Sequence, residues 1–233
     1  MKKILFVLLI VMFMVPATVM ASLVVNREPG YYSGNGGEFT LSGGAPSNMS
    51  YADSTKNIGS WGPSFQTFCL ETDEYVSLPN GTYNYALNSM ALRGGTNTDA
   101  GDPLSKGAAW LYSQFAKGTL SGYGYNSDRA SWAGSLQSAI RGLEDEQGYS
   151  VSSYWLNVLQ TQGGFADLAA AKADAGVGEY GVFVLNLTTA GGGYAQDMLY
   201  YKGSGNNVPI PPTAYLLGAG LVGLVGLRRR FKK

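Results

Sequence analysis

Few residues in this chain are equipped for chemistry. It has one cysteine, Cys69, and no histidine in 233 residues. Without histidine there is no Ser-His-Asp or Cys-His machinery and no His-ligated metal. A single cysteine allows neither an internal disulfide framework nor a thiolate zinc cage. Cys69 stands in Phe65-Gln66-Thr67-Phe68-Cys69-Leu70-Glu71. Period-two alternation there puts Phe65, Thr67 and Cys69 on one face of a strand. Three fates are open to the sulfur: a buried thiol behaving as a small hydrophobe, a bridge to another chain, or a bond formed by chemistry other than a disulfide.

The remaining polar clusters offer less. Glu71, Asp73 and Glu74 carry oxygens of the kind calcium takes, but they lack EF-hand spacing and read as a solvated turn. Glu144, Asp145 and Glu146 suggest acid/base work on a glycan, yet no second carboxylate pairs with them at a knowable distance. They fall near a helix C-terminus, where the dipole disfavours them, and they too read as solvated. Trp61, Trp110, Trp132 and Trp155 are potential sugar-stacking platforms, although Trp110 and Trp132 lie on helix stripes that point to the core. Gly191-Gly192-Gly193 and Gly34-Asn35-Gly36-Gly37 have neither the spacing nor the strand-to-helix setting of a phosphate loop. The sequence therefore predicts no catalytic constellation, no metal ligands and no cofactor.

Charge narrows the partners. Charged residues are only 14% of the chain and the formal net charge is zero, against about 25% charged in ordinary domains. Seven of the 16 basic residues (Lys2, Lys3, Arg228, Arg229, Arg230, Lys232 and Lys233) sit in the two end segments, leaving 9 against 16 acidic residues, a net of −7. An acidic body without a basic stripe excludes nucleic acid as a partner.

The ends read as addresses. In residues 1–21, Lys2 and Lys3 precede an apolar run from Ile4 to Val15, and Val19 and Ala21 supply small residues before a cut between Ala21 and Ser22. This is the pattern of a secretory signal peptide, which implies the Sec export machinery as a partner. Residues 208–233 begin Val208-Pro209-Ile210-Pro211-Pro212, continue as an apolar, glycine-rich run from Thr213 to Leu227, and end in Arg228, Arg229, Arg230, Lys232 and Lys233. The basic cluster fixes the tail on the cytoplasmic side, with 213–227 as a transmembrane helix. Proline motif, short apolar helix and basic cluster together resemble the PEP-CTERM class of sorting signals, in a Val-Pro-x-Pro variant. The resemblance implies processing by an exosortase-like enzyme of Gram-negative bacteria that make exopolysaccharide. It also implies a precursor held in the inner membrane and then delivered to the cell surface or extracellular matrix.

The elements that must position Cys69 lie in between, in an ectodomain of 22–202 followed by a linker at 203–207. Residues 22–62 hold short extended pieces, Leu23-Val24-Val25 and Phe39-Thr40-Leu41, among Gly, Ser and Asn. Strands are expected at Ser64 to Leu70, Tyr75 to Ser77 and Thr82 to Met90, with Asn80-Gly81 as a turn. The middle is helical. One helix runs from Pro103 to Lys117 with Gly118 as its stop, and a second, capped by Asp128, covers about 129–146 with Trp132, Leu136, Ala139, Ile140 and Leu143 as its stripe. A third, broken at Gly163-Gly164, lies within 150–174, and strands return at Gly181 to Leu187 and Gln196 to Tyr201. Strands at both ends around a helical middle make an α+β ectodomain, flanked by the signal peptide and the hydrophobic sorting helix.

Within that layout a second resemblance emerges. A Phe68-Cys69-Leu70 strand is followed, 68 residues after the cysteine, by Leu136-Gln137-Ser138-Ala139-Ile140 on a helix. The span 64–147, including Tyr75, Tyr83, Ala109-Trp110-Leu111-Tyr112 to Phe115 and Gly118-Thr119-Leu120-Ser121-Gly122, resembles the thioester domains of bacterial surface adhesins. In that family an aromatic residue often follows Ala-Ile, whereas Arg141 stands here. The resemblance implies that the Cys69 sulfur attacks the Gln137 carboxamide, ammonia leaves and an internal thioester forms. An incoming amine or hydroxyl on a surface or matrix target would then be acylated once, without turnover. The alternative expectation is a non-covalent matrix protein with Cys69 as a buried thiol.

Overall fold

The computed structural model describes residues 22–34, 36–43, 61, 64–93 and 101–203. The expected signal peptide with Ala21, the expected sorting motif at Val208, Pro209, Pro211 and Pro212, the helix expected at 213–227 and the basic residues Arg228, Arg229 and Arg230 lie outside the described residues. Among the described residues no helix is long and apolar enough to cross a membrane.

The described part of the chain is α+β, with strands before and after a helical middle. Six strands form one antiparallel sheet: β1 (Ser22–Asn26), β4 (Phe39–Gly43), β5 (Ser64–Thr67), β6 (Gly81–Asn88), β9 (Val182–Thr188) and β10 (Met198–Tyr201), ordered β10-β9-β6-β1-β4-β5. Two short ribbons flank it, β2 (Tyr32–Ser33) with β3 (Gly36–Gly37) and β7 (Met90–Ala91) with β8 (Asp102–Pro103). The sheet curls until its two edges meet. Just past β5, Cys69 bridges Met198, and around it Leu70 N–H donates to Asp197 O and Leu199 N–H to Phe68 O, both at 3.0 Å. The only thiol therefore sits on the seam where the sheet closes on itself.

Alternation along the strands explains the two cores. Leu23, Val25, Phe39, Leu41, Phe65, Cys69, Phe183, Leu185, Leu187 and Met198 pack together inside the curl. Phe68, Leu70, Val182, Val184 and Leu199, the residues between them, face the helices. That is the alternation expected for Phe65 and Cys69, and it gives the sheet two buried faces. It also accounts for the continuous burial of β5, whose polar Gln66 is satisfied by Thr40 in a side-chain pair at 3.0 Å.

Four α-helices lie among the described residues: α1 (Lys106–Lys117), α2 (Arg129–Leu143), α3 (Ser153–Thr161) and α4 (Leu168–Lys172). Helix α1 buries Ala108, Leu111, Tyr112 and Phe115 as its stripe requires, and the Phe115 ring meets Phe68 edge-on at 5.0 Å. Gly118 ends it in the left-handed region, φ 74, where glycine carries no side-chain penalty.

Several expectations need correcting. The first helix starts at Lys106, not Pro103. Pro103 belongs to β8, and Ser105 is the cap, its hydroxyl accepting from Ala108 N–H. Asp128 occupies the cap position of α2, but it is left-handed (φ 51) and its side chain makes no cap hydrogen bond. The second helix stops at Leu143, three residues short of expectation. Tyr75 to Ser77 is no strand, since it pairs with no strand among the described residues and Tyr75 is 77% exposed. The third helix is split as expected, into α3 and α4 on either side of Gly163-Gly164.

The end of α2 must pass close to the chain that follows it. A Cβ on Gly142 would lie 2.6 Å from Ser150 C and 2.7 Å from Val151 N, both backbone. Gly142→Ala should therefore cost about 1–3 kcal/mol by overpacking, despite alanine's higher helix propensity. A urea midpoint equal to or above the parent's would show that the loop yields freely.

Candidate functional site

Helix α2 brings Gln137 to the seam. Both partners are buried, Cys69 at 1% exposure and Gln137 at 1%. The Cys69 Sγ lies 3.2 Å from Gln137 Oε1. The same oxygen accepts from the Cys69 backbone N–H at 3.2 Å, and Gln137 Nε2 donates to Cys69 O at 2.7 Å. The two residues singled out 68 positions apart are thus in direct contact. The carboxamide is held on two points, its oxygen facing a donor and its nitrogen anchored to the strand backbone.

The chemistry open to this arrangement follows from the groups. A thiol beside a carboxamide carbon can add to it, and a backbone N–H on the carbonyl oxygen stabilises the oxyanion that addition creates. Fixed contact replaces an encounter in solution. Cys69 and Gln137 themselves are almost fully withdrawn from water, as a stored acyl electrophile requires.

Two clefts flank the pair. One, of about 410 Å³, is lined by Cys69 with Arg27, Asp73, Glu74, Tyr75 and Tyr149. The other, of about 530 Å³, is lined by Gln137 with Ser33, Gly36, Gly134, Ser138 and others. Arg141 and Tyr149 line both. One turn after Gln137 on the same face of α2, Arg141 places Nη2 3.1 Å from Cys69 Sγ and 3.3 Å from Glu71 O, and Nη1 2.8 Å from Tyr149 OH. Burial pushes the Cys69 thiol up, and the charge and hydrogen bond of Arg141, then the charge of Arg27, oppose it.

A buried ion pair fixes α2 against the sheet. Glu38, fully buried, accepts from Arg129 Nε at 2.7 Å, Arg129 Nη2 at 2.9 Å and Tyr123 OH at 2.6 Å. Arg129 also lies over the Tyr31 ring at 4.3 Å. Desolvation raises Glu38, against the pull of Arg129.

The carboxylates depart from expectation. Glu71 is 1% exposed, and Glu146 and Glu144 are 2% and 6% exposed, so none of them is solvated. Glu144 accepts from Ser105 N–H and Oγ, tying the end of α2 to the start of α1. Glu146 accepts from Thr72 N–H at 2.9 Å and from Thr72 Oγ1, tying the end of α2 to the segment after Cys69. Asp145 is the exposed member of the 144–146 run, paired with Lys172. Burial and the neighbouring Glu146 push Glu71 up to about 10, and burial pushes Glu144 up to about 8. Among the described residues no three carboxylates, thiols or imidazoles are arranged to hold a metal, so Glu71, Asp73 and Glu74 do not converge as calcium ligands. Trp110 and Trp155 are core, and the Trp155 Nε1 donates to Ser135 Oγ at 2.9 Å.

The sequence singled out Cys69 and Gln137 but missed Arg141, Tyr149 and the Glu38–Arg129 pair. A usable signal existed for Arg141, which stands four residues after Gln137 on one helix. The others depend on tertiary approach alone. The chain matches no family model, no curated protein and no solved structure.

Proposed function

We propose that this chain is an exported adhesion module of the cell surface or extracellular matrix, in which Cys69 and Gln137 close an internal thioester that acylates one target nucleophile once. The observation that carries the reading is the contact of the only thiol with a buried carboxamide, Sγ to Oε1 at 3.2 Å. Formation joins Sγ to the Gln137 carboxamide carbon and breaks its C–N bond, and the thiol proton leaves with the nitrogen as ammonia. Acylation joins the target's amine or hydroxyl to that carbon and returns its proton to the sulfur. The protein is spent in one event, so it is a covalent clamp and not a turnover enzyme, and it uses no cofactor. Export through the Sec machinery with cleavage before Ser22, retention in the inner membrane by 213–227 and release by an exosortase-like enzyme belong to the same proposal. They rest on the end segments of the sequence.

Intact mass of freshly purified 22–203 tests it. The wild type should be lighter than its encoded mass by one ammonia, and Cys69→Ala and Gln137→Leu should each restore full mass. Methylamine should add to Gln137 in the wild type and in neither variant. A wild type of full mass with a freely titrating thiol would leave the non-covalent matrix protein as the reading.

A further inference from the structure

We infer that Arg141 is a catalytic residue of this site: its guanidinium holds the negative charge of the Cys69 sulfur, both when the thioester forms and when it is opened. The inference rests on the thioester reading for its consequences, but its core, a guanidinium stabilising this thiolate, is testable without it.

Without histidine no imidazole can take the thiol proton, and an unassisted thiol in an apolar setting is a poor nucleophile because burial favours its neutral form. A neighbouring cation lowers that cost. Arg141 Nη2 is 3.1 Å from Sγ, within hydrogen-bonding reach for sulfur. Its aim is fixed from two other sides, by Glu71 O on the strand segment and by Tyr149 OH, whose ring also lies 4.9 Å from the guanidinium. Arg141 is 8% exposed, so its charge acts through little water and counts for more than it would at a surface.

The other charged or titratable groups facing this cleft are Arg27 beyond β1, Asp73 and Glu74 after Cys69, and Tyr75 and Tyr149. Of these, Arg27 adds to the effect of Arg141 at longer range, while the direct contact to sulfur is Arg141's.

Both chemical steps then use the same atom pair. In formation the sulfur shares electrons with the carboxamide carbon after its proton is displaced toward the leaving nitrogen, and Nη2 stabilises the developing thiolate. In opening, the C–S bond breaks and the electron pair returns to sulfur, where Nη2 again receives it before the nucleophile's proton arrives. A contact stronger to the charged sulfur than to the neutral thioester accelerates both directions.

The test uses a Gln137→Leu background, in which no thioester can form and Cys69 stays a thiol. The thiolate is titrated by its ultraviolet absorbance, with the Cys69→Ala, Gln137→Leu chain as blank. Arg141→Met should move the thiol titration at least about one pH unit upward, since hydrogen bonds to charged groups are worth roughly tenfold or more in an equilibrium. Arg141→Lys, which keeps the charge but not the fork, should fall between. Should the methionine variant not fold, Arg141→Gln, which keeps a donor for Glu71 O without the charge, gives the same comparison. Equal titrations for Arg and its uncharged replacements overturn the proposal. In the Gln137 parent, methylamine uptake should be at least about tenfold slower in Arg141→Met, with Arg141→Lys between. A wild type of full mass would remove the thioester reading and leave the titration to decide Arg141 alone.

Discussion

Replacing Glu38 with alanine should cost the fold about 3–5 kcal/mol, the loss expected when one member of a buried ion pair is removed and the other is stranded. Glu38 is fully buried and satisfies three donors, two from Arg129 and one from Tyr123. Without it, the Arg129 guanidinium keeps, among the described residues, Tyr125 O, at 3.2 Å, and the faces of Tyr31 and Tyr125. The consequence reaches the site. Glu38 directly precedes β4, whose Phe39 is in register with Thr67 on β5, two residues before Cys69. Arg129 opens α2, eight residues and just over two turns before Gln137. The pair thus joins the strand beside the thiol to the helix that bears the carboxamide. A slip of α2 by one turn would displace Gln137 by about 5.4 Å, more than the whole Sγ to Oε1 distance. Urea unfolding should therefore show a lower midpoint with an unchanged slope, and methylamine uptake should fall in the surviving folded fraction. Adding Arg129→Met to Glu38→Ala should recover part of the stability, because the stranded charge goes with it. A loss under about 1 kcal/mol for Glu38→Ala would place the pair with exposed salt bridges and remove it as the anchor of α2.

The sequence made some of this legible and hid the rest for physical reasons. Helix stripes such as Leu136, Ile140 and Leu143, and the strand alternation of Phe65 and Cys69, are local periodicities, and they correspond to buried faces. Tyr75 to Ser77 looked like a strand by composition, yet strand formation depends on finding a partner edge, which no local pattern reveals. Pro103 looked like a helix start, but Ser105, two residues on, provides a hydroxyl that both caps α1 and donates to Glu144 at 2.6 Å. The acidic run at 144–146 shows the limit most clearly. Its composition suggested solvent, and only the approach of Ser105 and Thr72 from distant segments makes burial tolerable for two of its three members. Cys69 and Gln137 could be singled out together only through a family resemblance. Their contact depends on the curl that brings β10 to the end of β5, a feature with no signature in either segment.

That burial has a pH consequence, and its sign runs against the usual acid denaturation. Glu71 is raised to about 10 by burial first and by the adjacent Glu146 second. Glu144, raised to about 8, and Asp197, raised to about 6, are shifted the same way, each chiefly by burial. A carboxyl with a raised folded pKa binds its proton more tightly in the native chain than in the unfolded one. Its contribution to stability is complete below the ordinary carboxyl range and is lost as pH climbs through the folded value. The window here runs from about pH 4.5, the unperturbed value, to about 10 for Glu71. Unfolding free energy should therefore fall between pH 5 and pH 8, by about 2 kcal/mol or more for Glu71 alone after allowance for solvent screening. Glu71→Gln mimics the protonated form, and its amide can donate to Glu146. The variant should match the wild type at pH 5, exceed it by about 2 kcal/mol at pH 8, and show a flatter pH profile. Glu71 lies two residues beyond Cys69, and its carbonyl accepts from Arg141 and from Gln196 at 2.8 Å. Ionisation of Glu71 would thus loosen the segment that aims both the thiol and its guanidinium, and methylamine uptake approaching pH 10 should be less pH-sensitive in Glu71→Gln than in the wild type. Urea titrations at the two pH values decide it: a wild-type stability that stays level or rises from pH 5 to pH 8, or a Glu71→Gln profile parallel to the wild type's, would show that burial at this junction does not hold the Glu71 proton.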